Sequence, residues 1–174
     1  MHSLKKYYFI NQYKPNLLIK LDKNISLIWR NKSKVNDKLE IIKTANFCKK
    51  NSFDFYLSNN ISLAIKLRLK GVYISASNYK MILNNNSLYK NFKIIGSAHN
   101  LKEIKIKKTQ GVQELFLAPI FKDKTNKALG IYKLKHLFNC YENDKIALGG
   151  INKKNIKLLR FVNFKGFAGI SYFE

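Results

Sequence analysis

Small residues end two short apolar segments in the last third of the chain. Gly149 and Gly150 close the segment 145–150, and a second group lies toward the end of the segment 166–173: Gly169, Ile170 and Ser171. Glycine weakens a strand, so a glycine pair indicates either a tight turn or a close approach of the backbone to a ligand. Backbone N–H groups that glycine leaves accessible can donate to phosphate oxygens. The two groups together predict a phosphate site, with a closely packed turn as the alternative.

Two cations follow an apolar segment near the start of the chain. Arg30 and Lys32 come directly after ISLIW at 25–29, and they share one face because side chains alternate along a strand. Two cations on one face suit an anionic substrate such as pyrophosphate. A solvated surface pair is the alternative in a chain this basic.

Further polar residues end the fifth and sixth apolar segments. Ser97 and His99 share a face at the end of the segment 92–97. His99 is a candidate general acid or base because free imidazole titrates near neutrality, although a single histidine is often structural. A Lys/Asn-rich loop after the sixth segment adds three residues, as a candidate site or as a loop without function: Asp123, Thr125 and Lys127.

Eight β-rich segments, separated by segments of helical period, position these residues. The predicted strands are 6–10, 25–29, 53–58, 71–75, 92–97, 112–121, 145–150 and 166–173. This alternation indicates parallel strands with right-handed crossovers. Eight repeats are typical of a (β/α)8 TIM barrel, whose active site lies at the C-terminal strand ends, with phosphate often bound after strands seven and eight. The barrel is predicted to be short and to lack its last helix; a doubly wound open sheet is the alternative.

The composition predicts one domain over residues 1–174. The chain is 46% hydrophobic and 13% aromatic, which excludes a disordered protein, and no apolar run reaches the roughly 18 residues of a membrane span. We expect neither a signal peptide nor a membrane partner, and the isolated cysteines Cys48 and Cys140 fit a reduced cytoplasm. The formal charge of +23 is nearly all scattered lysine. That pattern favours a solvated basic surface that attracts phosphorylated ligands over a specific nucleic-acid interface, which uses arginine for base contacts.

Several blocks of the sequence resemble the thiamine-phosphate synthase/TenI family. IGSAHN, LFLAPIFKDKTNKALGI, IALGGINKKNI and GFAGISYF occur in that family's order and spacing, and WRNK and SNNISLAIKLRLKGVYISASN resemble its earlier blocks. The resemblance spans nearly the whole chain and is more specific in the second half. It implies a (β/α)8 barrel, which the pattern of segments alone left open.

The resemblance implies an enzyme of thiamine biosynthesis that joins thiazole phosphate to a pyrimidine methyl diphosphate, releases pyrophosphate and uses Mg²⁺. Arg30 and Lys32 would hold the pyrophosphate, and Ser97 would contact the pyrimidine or the leaving group. The substrate contacts would include Asn59, Thr125 and Lys127. The thiazole phosphate would lie against the two small-residue groups: Gly149, Gly150, Gly169, Ile170 and Ser171.

Two alternatives to the synthase reaction follow from the same resemblance. TenI proteins resemble the synthases but act as thiazole tautomerases through a histidine, and His99 stands at the matching position. A catalytically silent protein that binds thiazole phosphate and regulates is the other alternative. Each hypothesis implies small phosphorylated ligands, and a homo-oligomer is a further expectation.

The chain departs from the family pattern where that pattern binds metal. The two family carboxylate positions are Asn59 and Asn78 here, and Ser58 precedes the first of them. Three residues of the motif before the second position are also replaced, by Tyr73, Ser75 and Ala76, and Ile28 stands where the family has glutamine. Mg²⁺ prefers carboxylate oxygen. The Mg²⁺ site that the resemblance implies at Asn59 and Asn78 therefore lacks its charged ligands.

Overall fold

The fold is a closed barrel of eight parallel strands, seen in a computed structural model that describes residues 4–31, 38–82, 89–122 and 128–173. Each strand pairs in parallel with the next, and β1 also pairs with β8, which closes the sheet. This confirms the (β/α)8 barrel and excludes an open sheet. The strands are β1 Lys5–Ile10, β2 Ile25–Trp29, β3 Phe55–Ser58, β4 Gly71–Ile74, β5 Lys93–Ala98, β6 Glu114–Leu117, β7 Asp144–Leu148 and β8 Gly166–Gly169.

Short helices occupy most of the connections between strands. They are α1 Pro15–Leu18, α2 Lys38–Lys50, α3 Ile61–Lys66, α4 Leu101–Thr109, α5 Ile131–Asn139 and a 3₁₀ helix, Ile156–Phe161. Asn60 and Asn100 cap α3 and α4 by accepting backbone N–H bonds at 3.0 Å from Leu63 and Glu103. The described residues after β8 form a turn and no helix, as expected for a short barrel. None of the described helices has the length and apolar character to span a bilayer.

Several predicted elements are shorter than the sequence indicated, and for three of them the local cause is visible. The strand predicted at 112–121 ends at Leu117, two residues before Pro119, which has no N–H for a sheet bond. The strand predicted at 166–173 ends at Gly169, and the N–H of Phe173 then closes a turn onto the carbonyl of Ile170. The segment of helical period between β7 and β8 forms only the short 3₁₀ helix. Its start is lost because the Asn152 side chain accepts the N–H groups of residues 154 and 155.

Aromatic side chains fill the inside of the barrel. Tyr7 packs edge-to-face on Phe116 at 5.0 Å between ring centroids, and Phe9 packs likewise on Tyr73 at 5.3 Å. The interior is thus a packed core, and a ligand has to bind above it, at the C-terminal strand ends that we call the barrel mouth. The buried residues of this inner layer are Tyr7, Phe9, Ile28, Tyr56, Tyr73, Ile95, Phe116, Ile146 and Ala168.

A buried carboxylate lies at the opposite end of the barrel. The side chain of Glu114, which is 4% exposed, accepts hydrogen bonds from Lys5 at 2.8 Å, from Lys93 at 3.2 Å and from the Tyr7 hydroxyl. Burial alone would raise the pKa of Glu114. Hydrogen bonds from Lys5 and Tyr7, with the charges of Lys5 and Lys93, outweigh burial and hold that pKa below its usual value. This cluster stabilises the end of the barrel that carries no site.

Candidate functional site

Arg30 projects over the inner layer at the barrel mouth. Its backbone N–H donates to the carbonyl of Ile10 at 2.8 Å, which fixes the residue at the end of β2. Its guanidinium carbon lies 5.8 Å from the ring centroid of Phe9 and 6.0 Å from that of Tyr73. Both rings belong to the inner layer, so the cation faces the mouth. Lys32, predicted to share this face, lies outside the described residues.

Tyr73 and Ser97 extend the polar cluster below Arg30. The Tyr73 hydroxyl donates to Ser97 Oγ at 2.8 Å, and both side chains are buried. Burial raises the pKa of Tyr73, against the smaller opposing effects of Arg30 and Ser97, so the phenol stays protonated at neutral pH. Because Ser97 accepts from Tyr73, its own hydroxyl hydrogen is left to donate to a ligand. From the sequence, Tyr73 is only a replaced motif residue, but its inward position follows from the alternation along β4.

Gly149 and Gly150 support the loop that follows β6. Both have positive φ, 95° and 67°. A Cβ on Gly149 would lie 2.8 Å from Pro119 Cα, and one on Gly150 would lie 2.7 Å from the Phe121 carbonyl oxygen. The N–H of Phe121 also donates to the carbonyl of Gly149 at 3.1 Å. The glycine pair thus forms a turn with a close packing contact, which is the alternative given for these residues from the sequence. This role is compatible with a phosphate bound at the same place.

The end of β8 is more open than the glycine pair. Ile170 is 49% exposed and Ser171 is also exposed. A Cβ on Gly169 would meet nothing nearer than the Ile151 carbonyl oxygen at 3.6 Å, so the segments after β7 and β8 are neighbours. Within the described chain, the backbone N–H groups of Gly150, Ile170 and Ser171 donate to no backbone carbonyl. As far as the described residues show, these N–H groups could therefore donate to an anion.

Asn155 holds the segment after β7 in place. Its side-chain amide donates to the carbonyl of Gly150 at 2.7 Å, and its Oδ1 accepts the N–H of Asn152 at 2.9 Å. The sequence analysis missed this residue. An asparagine within five residues of a glycine pair is a usable signal, because its side chain can bond nearby backbone groups.

His99 lies at the rim of the mouth, after β5, and is exposed. Its ring Nδ1 is 2.8 Å from the carbonyl oxygen of Ala118, and its backbone N–H donates to Glu103 Oε2 at 2.6 Å. Since a carbonyl can only accept, Nδ1 carries a proton, and Nε2 of the neutral ring carries the lone pair. His99 is thus oriented to accept a proton through Nε2.

The two family metal positions lie together and bond to each other. Asn59 Oδ1 accepts the side-chain amide of Asn78 at 3.1 Å and the N–H of Ser75 at 2.9 Å. The Asn59 amide donates to Ser75 Oγ at 3.0 Å, and Asn78 Oδ1 accepts the N–H of Lys80 at 3.0 Å. We call the side chains of Asn59, Ser75 and Asn78 the amide network. It is neutral, and both asparagine oxygens are already engaged.

The amide network does not fit the Mg²⁺ that the resemblance implies. Mg²⁺ needs hard, preferably charged, oxygen ligands in near-octahedral geometry. Here the amide oxygens accept N–H bonds, and the described residues contain no group of three or more His, Cys, Asp or Glu side chains that could hold a metal ion.

Thr125 and Lys127, predicted to contact substrate, lie with Asp123 outside the described residues.

A separate cavity of about 300 Å³ lies at the other end of the barrel, near the starts of β6 and β7. It is distant from the cluster at the mouth, and it brings together no set of catalytic groups. Its lining consists of Lys108, Gly111, Val112, Gln113, Tyr141, Glu142 and Asn143.

Comparison with known proteins gives a consistent result. The family model described as thiamine monophosphate synthase matches residues 23–173. The chain is 26% identical over 120 residues to a thiamine-phosphate synthase of Methanococcus vannielii, covering 67% of this chain and 58% of that protein. It is 30% identical over 169 residues to a thiamine-phosphate synthase of Prochlorococcus marinus subsp. pastoris, covering 91% of this chain and 48% of that protein. The chain thus spans about half the length of these relatives.

A solved structure agrees with the fold. Thiamine phosphate pyrophosphorylase from Pyrococcus furiosus is similar with a TM-score of 0.76 and 20% identity, covering 97% of this chain and 86% of that one. At this level of identity, the likeness concerns the barrel itself.

Proposed function

Because the chain belongs to the thiamine monophosphate synthase family, we propose that it is an enzyme of thiamine biosynthesis. It would join thiazole phosphate to a pyrimidine methyl diphosphate and release pyrophosphate. One observation supports this activity most strongly: the Arg30 guanidinium lies over the inner layer of the barrel, 5.8 Å from the Phe9 ring, where it can meet an anion that enters the mouth.

The proposed reaction breaks one bond and forms one. The carbon–oxygen bond between the pyrimidine methylene and the diphosphate breaks, and the diphosphate leaves with the electron pair. The thiazole nitrogen then donates its lone pair to the carbocation, so no proton transfer is needed. Arg30 and Lys32 hold the departing diphosphate, and the free Ser97 hydroxyl hydrogen donates to the pyrimidine or the leaving group.

The thiazole phosphate is proposed to bind between the segments after β7 and β8. Backbone N–H groups of Gly150, Ile170 and Ser171 would donate to its oxygens. Gly149 contributes by supporting the loop after β6, which leads to Thr125 and Lys127, and Gly169 leaves room beside Ile151. Asn59 remains a proposed contact of the pyrimidine substrate. No step is assigned to Mg²⁺, because the amide network offers it no fitting ligands.

The test is thiamine phosphate formation from both substrates, with Mg²⁺ and with a chelator. We expect Arg30→Ala to lower the rate by about 10²-fold or more, as for loss of one donor to developing negative charge. Lys66→Ala, which removes an exposed cation on α3, is the matched control and should leave the rate unchanged. Absence of product under all conditions, or equal rates for Arg30→Ala and Lys66→Ala, would contradict the proposal.

A thiazole tautomerase is the second candidate, and the orientation of His99 favours it. With Nδ1 bonded to Ala118, Nε2 can take a proton from one carbon of the thiazole and return it to another. Solvent deuterium incorporation into thiazole phosphate, lost in His99→Gln, would identify this activity. Binding of thiazole phosphate without either reaction would leave the silent regulatory protein.

The remaining proposals concern the whole chain. We propose one domain over residues 1–174, a cytoplasmic location and a homo-oligomeric state, which sedimentation would test. The partners would be small phosphorylated thiazole and pyrimidine ligands, drawn by a formal charge of +23, rather than a specific nucleic acid. Free cysteines at 48 and 140 support the reduced location.

A further inference from the structure

Lys107 is a fully buried lysine on the inner side of α4. Its residue is 0% exposed, and its ammonium group donates to the backbone carbonyl of Asn78 at 2.8 Å and to Gln110 Oε1 at 2.9 Å. Both acceptors are neutral. Gly96 of β5 leaves the space for this side chain, since a Cβ there would lie 3.3 Å from Lys107 Cδ. The lysine therefore passes along the outside of β5 toward the loop after β4.

Gln110 holds the same loop from the end of α4. It is 2% exposed, and its side-chain amide donates to the carbonyls of Asn78 at 3.0 Å and of Lys80 at 2.7 Å. We call the side chains of Lys107 and Gln110 the clamp. The carbonyl of Asn78 thus accepts from both members of the clamp. The loop is held at two carbonyls, those of Asn78 and Lys80.

The clamp is directly connected to the barrel mouth. The residue whose carbonyl it holds, Asn78, donates its side-chain amide to Asn59 Oδ1 at 3.1 Å. Asn59 in turn bonds both the N–H and the hydroxyl of Ser75. A shift of the Asn78 backbone would therefore break the amide network. This network follows β3 and β4, away from the segments after β7 and β8.

Burying the ammonium group of Lys107 costs free energy that a purely structural contact would not require. Burial disfavours the ammonium form and lowers the pKa of Lys107 to about 8, with the charge of Glu103 opposing this effect. An apolar side chain would fill the same space without desolvating a charge. What an apolar side chain cannot do is hold the carbonyl of Asn78 at a fixed place.

We propose that Lys107 and Gln110 are positioning residues that fix Asn78, and through it the amide network, against the pyrimidine diphosphate. The network would orient this substrate by hydrogen bonds in a site without a metal ion. This inference rests on the proposed function. It predicts a one-sided effect, because the thiazole phosphate is assigned to the segments after β7 and β8, which the clamp does not touch.

The first variant, Lys107→Met, removes the ammonium and keeps most of the apolar stem. We expect the KM for the pyrimidine diphosphate to rise about tenfold, the loss expected for one or two buried hydrogen bonds. The calorimetric Kd for thiazole phosphate should stay within about twofold of the wild type. Lys105→Met, at an exposed lysine of the same helix, is the control and should change neither value.

The second variant, Gln110→Glu, separates positioning from stability. The new carboxylate keeps the bond to Lys107 and compensates its charge, but it has no donor for the carbonyls of Asn78 and Lys80. The two carbonyls that lose their donor should lower the melting temperature somewhat, but we expect the same one-sided rise in KM, with the Kd for thiazole phosphate unchanged. A merely structural role predicts instead that substrate affinity follows stability.

Amide hydrogen exchange tests the clamp without any ligand. In both variants the N–H groups of Ser75, Asn78 and Lys80 should exchange at least about tenfold faster. They donate to Asn59 Oδ1, the Ser75 carbonyl and Asn78 Oδ1 respectively, and these bonds depend on the position of Asn78 that the clamp fixes. If the wild type binds neither substrate, the proposed function fails, and the exchange rates still decide the positioning role. Unchanged exchange at these three amides in both variants, or equal loss of affinity for both ligands in Gln110→Glu, would overturn the inference.

Discussion

At the scale of single residues, charge is divided between the two ends of the barrel. The buried carboxylate of Glu114 and its lysines lie at the end away from the mouth. At the mouth lie the cation of Arg30, over the Tyr73 ring, and the neutral side chains of Asn59 and Asn78, which bond to each other. An anionic ligand that enters the mouth can therefore meet positive charge and hydrogen-bond donors.

Glu114→Gln tests the stabilising end of the barrel. The substitution keeps the size of the side chain but removes the charge that Lys5 and Lys93 share, although Lys5 keeps its contact with Asp144 at 2.8 Å. We expect a loss of about 2 kcal/mol in the free energy of unfolding at pH 7, at the low side for a buried pair because both lysines are partly exposed. Urea unfolding followed by circular dichroism would measure it.

The difference in unfolding free energy between the wild type and Glu114→Gln should depend on pH in a defined direction. The pKa of Glu114 is lowered in the folded state, so its stabilising effect is complete above the unfolded-state pKa of about 4.3 and is lost as the pH falls through the lower folded-state value. The difference in unfolding free energy between wild type and Glu114→Gln should therefore narrow below about pH 4. A difference that stays constant down to pH 2.5 would show that the carboxylate charge is not what stabilises.

At the scale of elements, the loops after β6 and β7 form one packed unit. The N–H of Ile120 donates to Leu148 and that of Phe121 to Gly149. The glycine pair fits this close contact, whereas a Cβ on Gly169, the last residue of β8, would make only ordinary van der Waals contacts. The two glycine positions should therefore respond differently to the same small substitution.

Alanine at Gly150 and at Gly169 separates packing from ligand approach. At Gly150 a methyl group would clash with the carbonyl oxygens of Phe121 and Lys122, and the positive φ of this residue disfavours alanine. We therefore expect a loss of about 1–3 kcal/mol in the free energy of unfolding. At Gly169 the methyl group fits, so the melting temperature should hold while the affinity for thiazole phosphate falls about tenfold or more. Thermal melts and calorimetry on both variants would show this; unchanged affinity in Gly169→Ala would remove the phosphate from this segment.

The number and order of the elements could be predicted from sequence because each strand is a short apolar run between polar segments. The inward position of Arg30 likewise follows from alternation along β2. The ends of the elements depend on single residues that the periodicity of apolar side chains does not report. Pro119 lacks the N–H that a sheet bond needs, and the side chain of Asn152 accepts N–H groups at the start of the next segment. The resemblance implied that Asn59 and Asn78 share one site, but not that they bond to each other. The burial of Lys107 could not be predicted, because it depends on which loops the closed barrel brings together, and lysine is rarely buried.

At the scale of the whole molecule, barrel closure brings distant segments to one mouth. Arg30, Ser97, His99 and Ser171 come from the ends of three strands, β2, β5 and β8, that are far apart in sequence. The formal charge of +23 is nearly all lysine, scattered along the chain. Long-range attraction of this kind accelerates the encounter with anions and is screened by salt, whereas contacts inside the mouth are screened much less.

The charge should therefore give weak binding to nucleic acid that salt removes. We expect duplex DNA and single-stranded RNA of unrelated sequences to bind alike at 50 mM salt and to be largely released at 200 mM, since counterion release drives such binding. Fluorescence anisotropy at the two salt concentrations would measure this. A sequence preference that persists at 200 mM salt would point instead to a nucleic-acid partner.

Calorimetric titration of thiazole phosphate into the wild-type protein, at physiological salt and with a chelator present, tests the central claim most directly. The claim is that the mouth binds a phosphorylated thiazole through its own residues. We predict saturable binding of one ligand per chain, and binding at least about tenfold weaker for the thiazole alcohol that lacks the phosphate. No binding, or equal binding of the two compounds, would contradict it.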